Sequence, residues 1–140
     1  MAKTKERRIN YDDEDYEILQ RLIVEEPFRN LNLVDVFAIS LVYGIREGIR
    51  TPLGKNKTGR ILQSTIERSN VYYLMMAIAV EETGSFDILA KRNDYFKICE
   101  EYAKTGLSLL EEDFIENTKG ILDDLELEAL KYFDKNIKDN

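Results

Sequence analysis

Residues 32–48, NLVDVFAISLVYGIREG, decide the fold class of this chain. Asn32 is a good helix N-cap, and Asp35, three residues later, can complete a capping box with it. From Leu33 to Ile45 nearly every residue is apolar, and Gly48 is a typical C-terminal stop. A helix that is apolar on most of its sides is packed by neighbours on several faces. The segment therefore predicts a central, buried helix.

The segments on either side also favour helices. Residues 71–84, VYYLMMAIAVEETG, predict a second strongly apolar helix that Gly84 ends. One of Tyr72 and Tyr73 must point away from the core, because adjacent residues of a helix face different directions. Amphipathic spacing predicts three further helices. The first is ended by Pro27, the second runs from Asp94 to about Ile115, and the third starts at Asn117 or Thr118.

The chain has 140 residues, 44% of them apolar, which is enough to bury the core of one domain. We predict an all-α fold, a compact bundle of five to six helices, in a single domain at residues 11–140. A mobile basic arm is expected at residues 1–10.

A glycine-punctuated loop at residues 51–59 separates the two apolar helices. The next residues, 60–66, fit a short strand or a helix equally well, and a β-hairpin near residues 50–66 stays open. Gly54 and Gly59 have the spacing of a phosphate-binding loop. Arg60 and Ile61, however, stand where that motif requires Lys and then Ser or Thr, so we reject nucleotide hydrolysis.

The composition excludes most catalytic centres. The chain has no His, and Cys99 is its single cysteine. It therefore cannot build a Ser-His-Asp or Cys-His system, a His-ligated metal site or an internal disulfide. Cys99 lies among apolar residues at helical spacing and is predicted to be buried. We predict no enzyme, no catalytic residue, no metal and no cofactor; a carboxylate-dependent metal enzyme is the remaining catalytic alternative.

The formal net charge of −7 conceals two basic segments. Residues 46–68 carry six basic residues against two acidic ones, and the first eight residues carry a net charge of +3. A basic loop on an acidic body suits a local contact with phosphates or carboxylates better than a general coating of nucleic acid. The residues predicted to bind nucleic acid or a partner are Arg46, Arg50, Lys55, Lys57 and Arg60. The alternative is that Arg46 and Arg50 tie the loop to the acidic body.

No export signal or membrane span is recognisable. The basic N-terminal residues are not followed by an apolar region, and the longest apolar run is residues 71–80. A membrane helix needs about twenty such residues. We expect a cytoplasmic protein that makes no contact with a membrane.

Several short stretches together carry a family resemblance. They are Phe28, DVFA at 35–38, YGIREG at 43–48, RTPL at 50–53, the run from Ala77 to Gly84, and EYAKTGL at 101–107. In this order they resemble a small accessory protein found with Dnd-type DNA phosphorothioation islands. The resemblance covers about residues 9–110 and leaves out the basic arm and the acidic last helix. It implies a role in prokaryotic restriction-modification or anti-phage defence, and it implies no catalytic residue.

Two functions follow as hypotheses. The first is a non-catalytic accessory protein of a DNA modification and defence system, which binds a protein partner first and DNA phosphates second, through the basic loop. The alternative is a structural subunit whose last helices form a homo- or hetero-oligomer, with no nucleic-acid contact.

Overall fold

The computed structural model describes residues 6–24, 28–117 and 126–132. Its elements in chain order are β1 (Arg8–Asp12), α1 (Asp13–Leu22), α2 (Leu33–Glu47), β2 (Lys57–Leu62), α3 (Gln63–Glu67), α4 (Val71–Thr83), a 3₁₀ turn (Phe86–Ala90), α5 (Arg92–Leu110) and a π-helical segment (Glu111–Asn117). Residues 126–132 are also helical. The described chain is mostly α with a single two-stranded sheet, which confirms the predicted fold class. The start predicted for the last helix falls at the edge of the described residues.

α2 and α5 pack against each other with their backbones in direct contact. A Cβ atom on Gly44 would lie 1.9 Å from the carbonyl oxygen of Tyr102, and one on Gly106 would lie 1.6 Å from that of Ser40. The sequence suggested only that Gly106 weakens its helix, by about 1 kcal/mol relative to Ala. The structure gives this glycine a purpose, because no other residue allows the two helices to come so close.

The predicted start of α2 and the predicted ends of α2 and α4 are confirmed, whereas α1 ends at Leu22 and not at Pro27, which lies outside the described residues. Asn32 Oδ1 accepts a hydrogen bond from the Asp35 amide at 2.9 Å, and the Asp35 carboxylate accepts one from the Asn32 amide at 3.1 Å. Gly48 and Gly84 end α2 and α4 with φ angles of 76° and 72°. This left-handed conformation favours glycine, so the capping residues alone locate these ends.

β1 and β2 form an antiparallel ribbon in which Ile9 lies opposite Ile61, with both side chains buried. This pairing corrects the predicted mobile arm at residues 8–10, which form a strand because Ile9 belongs to the core. It also settles residues 60–66, which are divided between the end of β2 and α3. The predicted strand is present, but it pairs with the N-terminal segment rather than with a neighbouring part of the loop.

The two apolar helices are less buried than their sequences indicate. α4 buries only Met75, Ile78 and Ala79 of its apolar residues. α2 buries the face that meets α5 but leaves Val42 and Ile45 exposed. The prediction of a central helix packed on several faces is therefore wrong for the C-terminal half of α2, where no described element covers these side chains.

Among the described residues, no helix is both long enough and apolar enough to span a membrane.

Candidate functional site

Arg50, one of the predicted binding residues, is engaged by the protein's own carboxylates. Its guanidinium lies 2.7 Å from Glu101 Oε1 and 3.1 Å from Glu82 Oε1. The Tyr102 hydroxyl donates to the other oxygen of Glu82 at 2.5 Å. The hydrogen bonds from Tyr102 and Arg50 lower the pKa of Glu82, and the bond to Glu82 together with burial raises the pKa of Tyr102 to about 12. For Arg50 the structure therefore shows the alternative role, a tie between the loop and the acidic body.

Arg60 is also drawn into the molecule. It is the extra residue of a bulge in β2, between the Ile9–Ile61 and Asn10–Gly59 pairs. Its guanidinium lies 3.8 Å from the centre of the Tyr16 ring and 3.7 Å from Asp13 Oδ1. The guanidinium thus stacks on an aromatic ring beside a carboxylate, although its buried Nε has no hydrogen-bond partner among the described residues.

The other three predicted cations are exposed and lie in different places. Arg46 sits over the Tyr43 ring, 5.7 Å from its centre, at the end of α2. Lys55 lines a concavity with the acidic start of α1, at Asp12–Glu14. Lys57 lines a different concavity, with the N-terminal part of α5. The fold thus separates the five residues, and their binding role stays a prediction.

A second group of cations includes Lys57, and its other members were not predicted from the sequence. Its members are Arg8 of β1 and three exposed residues at the start of α5, Lys91, Arg92 and Lys97. We call the surface formed by Arg8, Lys57, Lys91, Arg92 and Lys97 the basic groove. The available signal was the basic N-terminal segment, but its pairing with β2 cannot be read from local sequence.

Two ion-pair clusters fix the N-terminal segment to α5. Arg7 donates to both carboxylate oxygens of Glu100, at 2.8 and 3.0 Å, and the Asn10 amide donates to the same group. One turn further along α5, Lys104 Nζ lies 2.6 Å from Asp12 Oδ2 and 2.7 Å from Asp15 Oδ2. Burial alone would lower the pKa of Lys104, but the hydrogen bonds that its ammonium donates to the two carboxylates outweigh burial and raise the pKa.

An exposed apolar surface lies on α4 and on the turn that follows it. Tyr72 points inward, with its hydroxyl 3.4 Å from that of Tyr95, whereas Tyr73 is 68% exposed. This confirms that one of the two tyrosines points away from the core. Ala77, one turn from Tyr73, is exposed on the same face, and Phe86 is 77% exposed. Exposed aromatic residues on an apolar helix are typical of an interaction surface.

Two catalytic features can be checked among the described residues, a cluster of metal ligands and a reactive thiol. Within residues 6–24, 28–117 and 126–132 no three potential metal ligands come together. Cys99 is fully buried, as predicted, and burial raises the pKa of its thiol, so it is unsuited to act as a nucleophile. That the protein is not an enzyme stays a prediction.

Comparison with known protein families identifies the family to which this chain belongs. Residues 8–139 match the family described as DNA sulphur modification system-associated protein 4. The chain belongs to this family. The match confirms the resemblance and extends beyond the stretches that carry it, since it includes all of β1 and the acidic C-terminal segment. No curated protein and no solved structure matches the chain. Membership of the family associates the protein with a DNA sulphur modification system in an accessory role.

Proposed function

We propose that this member of the DNA sulphur modification system-associated protein 4 family is a non-catalytic accessory protein, which binds a protein component of that system. It would do so in the cytoplasm, as part of a defence against foreign DNA. The observation that carries the proposal is the apolar helix α4, which is left open to solvent at Tyr73 and Ala77.

The apolar face of a helix is normally packed against another element of structure. The Tyr73 ring meets the edge of the neighbouring Tyr72 ring, with centroids 6.1 Å apart, and most of its surface stays exposed. Tyrosine contributes a large, rigid contact area and a hydroxyl, and it is enriched among the residues that dominate binding energy at protein interfaces. A partner with an apolar patch would therefore gain most from contact with Tyr73.

The proposal is tested by titrating the purified chain with each purified protein encoded alongside it in the same modification system. Tyr73→Ser should weaken the binding at least tenfold, since truncation of a dominant interface residue costs about 2 kcal/mol or more. Val24→Ser is the matched control, because Val24 is 60% exposed and lies away from α4 on the chain. Equal affinities of the wild type and Tyr73→Ser for every component would exclude this interface.

The predicted basic residues enter the proposal as a second contact. Arg46 lies beside the exposed Val42 and Ile45 at the end of α2, which is a combination of apolar and guanidinium groups that suits a carboxylate-bearing partner. If this end of α2 takes part, Arg46→Glu should lower the association rate and reduce its dependence on salt. A rate unchanged by Arg46→Glu would confine the interface to α4.

The alternative, an oligomer formed through the last helix, is favoured by one observation. Leu127 and Leu130, three residues apart in helical residues 126–132, are both exposed. Light scattering at two concentrations tests it. A mass that doubles in the wild type and not in Leu127→Ser/Leu130→Ser would support the oligomer; a monomer at both concentrations would exclude it.

A further inference from the structure

The basic groove is built where the β1–β2 ribbon meets the beginning of α5. Three adjoining concavities share Arg7 in their walls, and together they run from the outer edge of the ribbon to the exposed side of α5. Arg8 lies at one end, and Lys97 and Lys57 line the other. Lys91 and Arg92 line the third concavity.

The charge of the groove is strongly positive once its internal ion pairs are counted. The carboxylates of Glu100 and Glu101 in its floor are already held by Arg7 and Arg50. Glu6 is bound to the Ser64 amide at the rim, and Asp94 is the remaining acid among the lining residues of the described chain. Five exposed cations therefore face two carboxylates, in a protein whose formal net charge is −7.

The arrangement favours a long anion over a small one. The cations come from three separate elements and are spread along the groove, whereas a site for one phosphate converges on a point. Arg92 and Lys97 alone are about 7.5 Å apart along the helix axis, from a rise of 1.5 Å per residue. No aromatic side chain lines the groove within the described residues, so bases have no surface on which to stack.

We propose that the basic groove binds the phosphodiester backbone of duplex DNA without reading its sequence. The choice of DNA as the polyanion rests on the proposed role in a DNA sulphur modification system; the groove itself does not depend on α4 or on any protein partner. Phosphate contacts of this kind position a protein on a duplex and carry no sequence information.

The test is a titration of the purified full-length chain with a short fluorescein-labelled duplex at several salt concentrations, followed by fluorescence anisotropy. Each phosphate contact contributes about −0.9 to the slope of log K against log salt, so five contacts give at most about −4.5. Lys57→Gln/Lys97→Gln should reduce the magnitude of the slope by about 1.8 and weaken binding at low salt. Two duplexes of unrelated sequence should bind equally well.

Lys55→Gln distinguishes the basic groove from the loop that the sequence predicts to bind nucleic acid, because Lys55 lies two residues from Lys57, is also exposed and faces the acids of α1 rather than the groove. It should leave the slope unchanged. Asp94→Asn should strengthen DNA binding, since it removes an acid from the groove.

Three results would overturn the proposal. The first is no binding of DNA at low salt, and the second is an equal loss of slope in the Lys55 variant and in the double variant. The third is tighter binding of polyglutamate than of DNA at matched charge, which would assign the groove to an acidic protein. Because the titration contains no other protein, its failure leaves the α4 interface untouched, and Tyr73→Ser should bind DNA like the wild type.

Discussion

Arg7 donates two parallel hydrogen bonds, of 2.8 and 3.0 Å, to the carboxylate of Glu100, which lies 93 positions later in the chain. The Glu100 side chain is only 4% exposed. A buried carboxylate is stable only when its charge is matched and its oxygens are hydrogen-bonded. This contact therefore attaches the N-terminal segment to α5 and keeps the floor of the basic groove neutral.

The first prediction concerns the loss of Arg7, the partner of Glu100. Arg7→Met keeps an unbranched side chain near the Phe96 ring, over which the guanidinium now lies, but it leaves Glu100 without a counter-charge. We expect a loss of about 3–5 kcal/mol in the free energy of unfolding, measured by urea denaturation. Arg7→Met/Glu100→Gln should recover part of the loss, because the amide oxygen can still accept from the Asn10 amide. A double variant no more stable than Arg7→Met would contradict this account.

The second prediction concerns the crossing of α2 and α5. Gly106→Ala would place a methyl group 1.6 Å from the Ser40 carbonyl oxygen, which belongs to the backbone and cannot rotate away. Ala favours a helix over Gly by about 1 kcal/mol. We nevertheless expect Gly106→Ala to lower the free energy of unfolding by about 1–3 kcal/mol, because the methyl group forces α2 and α5 apart. Thermal unfolding measures it. Gly54→Ala, whose nearest contact would be an ordinary 3.6 Å, serves as the control and should change Tm little.

The third prediction is a dependence on pH. The folded-state pKa of Glu82 is lowered by the Tyr102 and Arg50 hydrogen bonds, so ionised Glu82 stabilises the fold above its unfolded pKa of about 4.3. That contribution is lost as the pH falls through the lower folded pKa. The Tm difference between the wild type and Glu82→Gln should therefore be largest near neutrality and shrink in acid. Glu17→Gln, at an exposed position of α1, should show no such trend; a constant difference for Glu82→Gln would refute the linkage.

The fourth prediction concerns Tyr11, whose hydroxyl is buried without a hydrogen-bond partner among the described residues. Its ring packs edge-on against Phe37, with centroids 6.4 Å apart, so the ring and not the hydroxyl supports the core. Tyr11→Phe should leave stability unchanged or raise it by about 1 kcal/mol, because an unsatisfied buried hydroxyl is removed. Tyr11→Leu, which loses the ring contact, should destabilise. A clear loss of stability in Tyr11→Phe would mean that the hydroxyl has a partner.

Local chemistry explains what could be predicted from the sequence. Asn32, Asp35, Gly48 and Gly84 define helix ends through bonds and dihedral angles within a few residues, and the apolar runs define which segments are helical. The family was also recognisable from short stretches near α2. These features depend only on near neighbours in the chain.

The site depended on distant neighbours, which explains why it was only partly foreseen. Arg50 and Arg60 were predicted to bind a partner, but the carboxylates that they contact, Glu101 and Asp13, lie far away in sequence. Lys97 joins Lys57 only because β1 pairs with β2 and is anchored on α5. Nothing in the local spacing of Glu100 and Glu101 shows that Arg7 and Arg50 allow these two carboxylates to be buried.

The pairing of Ile9 with Ile61 also sets an order of events during protein synthesis. The N-terminal strand leaves the ribosome long before its partner has been made, and contacts between such distant residues form slowly. Until β2 emerges, the nascent chain presents an uncovered Ile9 next to several positive charges. A polypeptide that ends before residue 57 lacks β2 and therefore cannot form this ribbon.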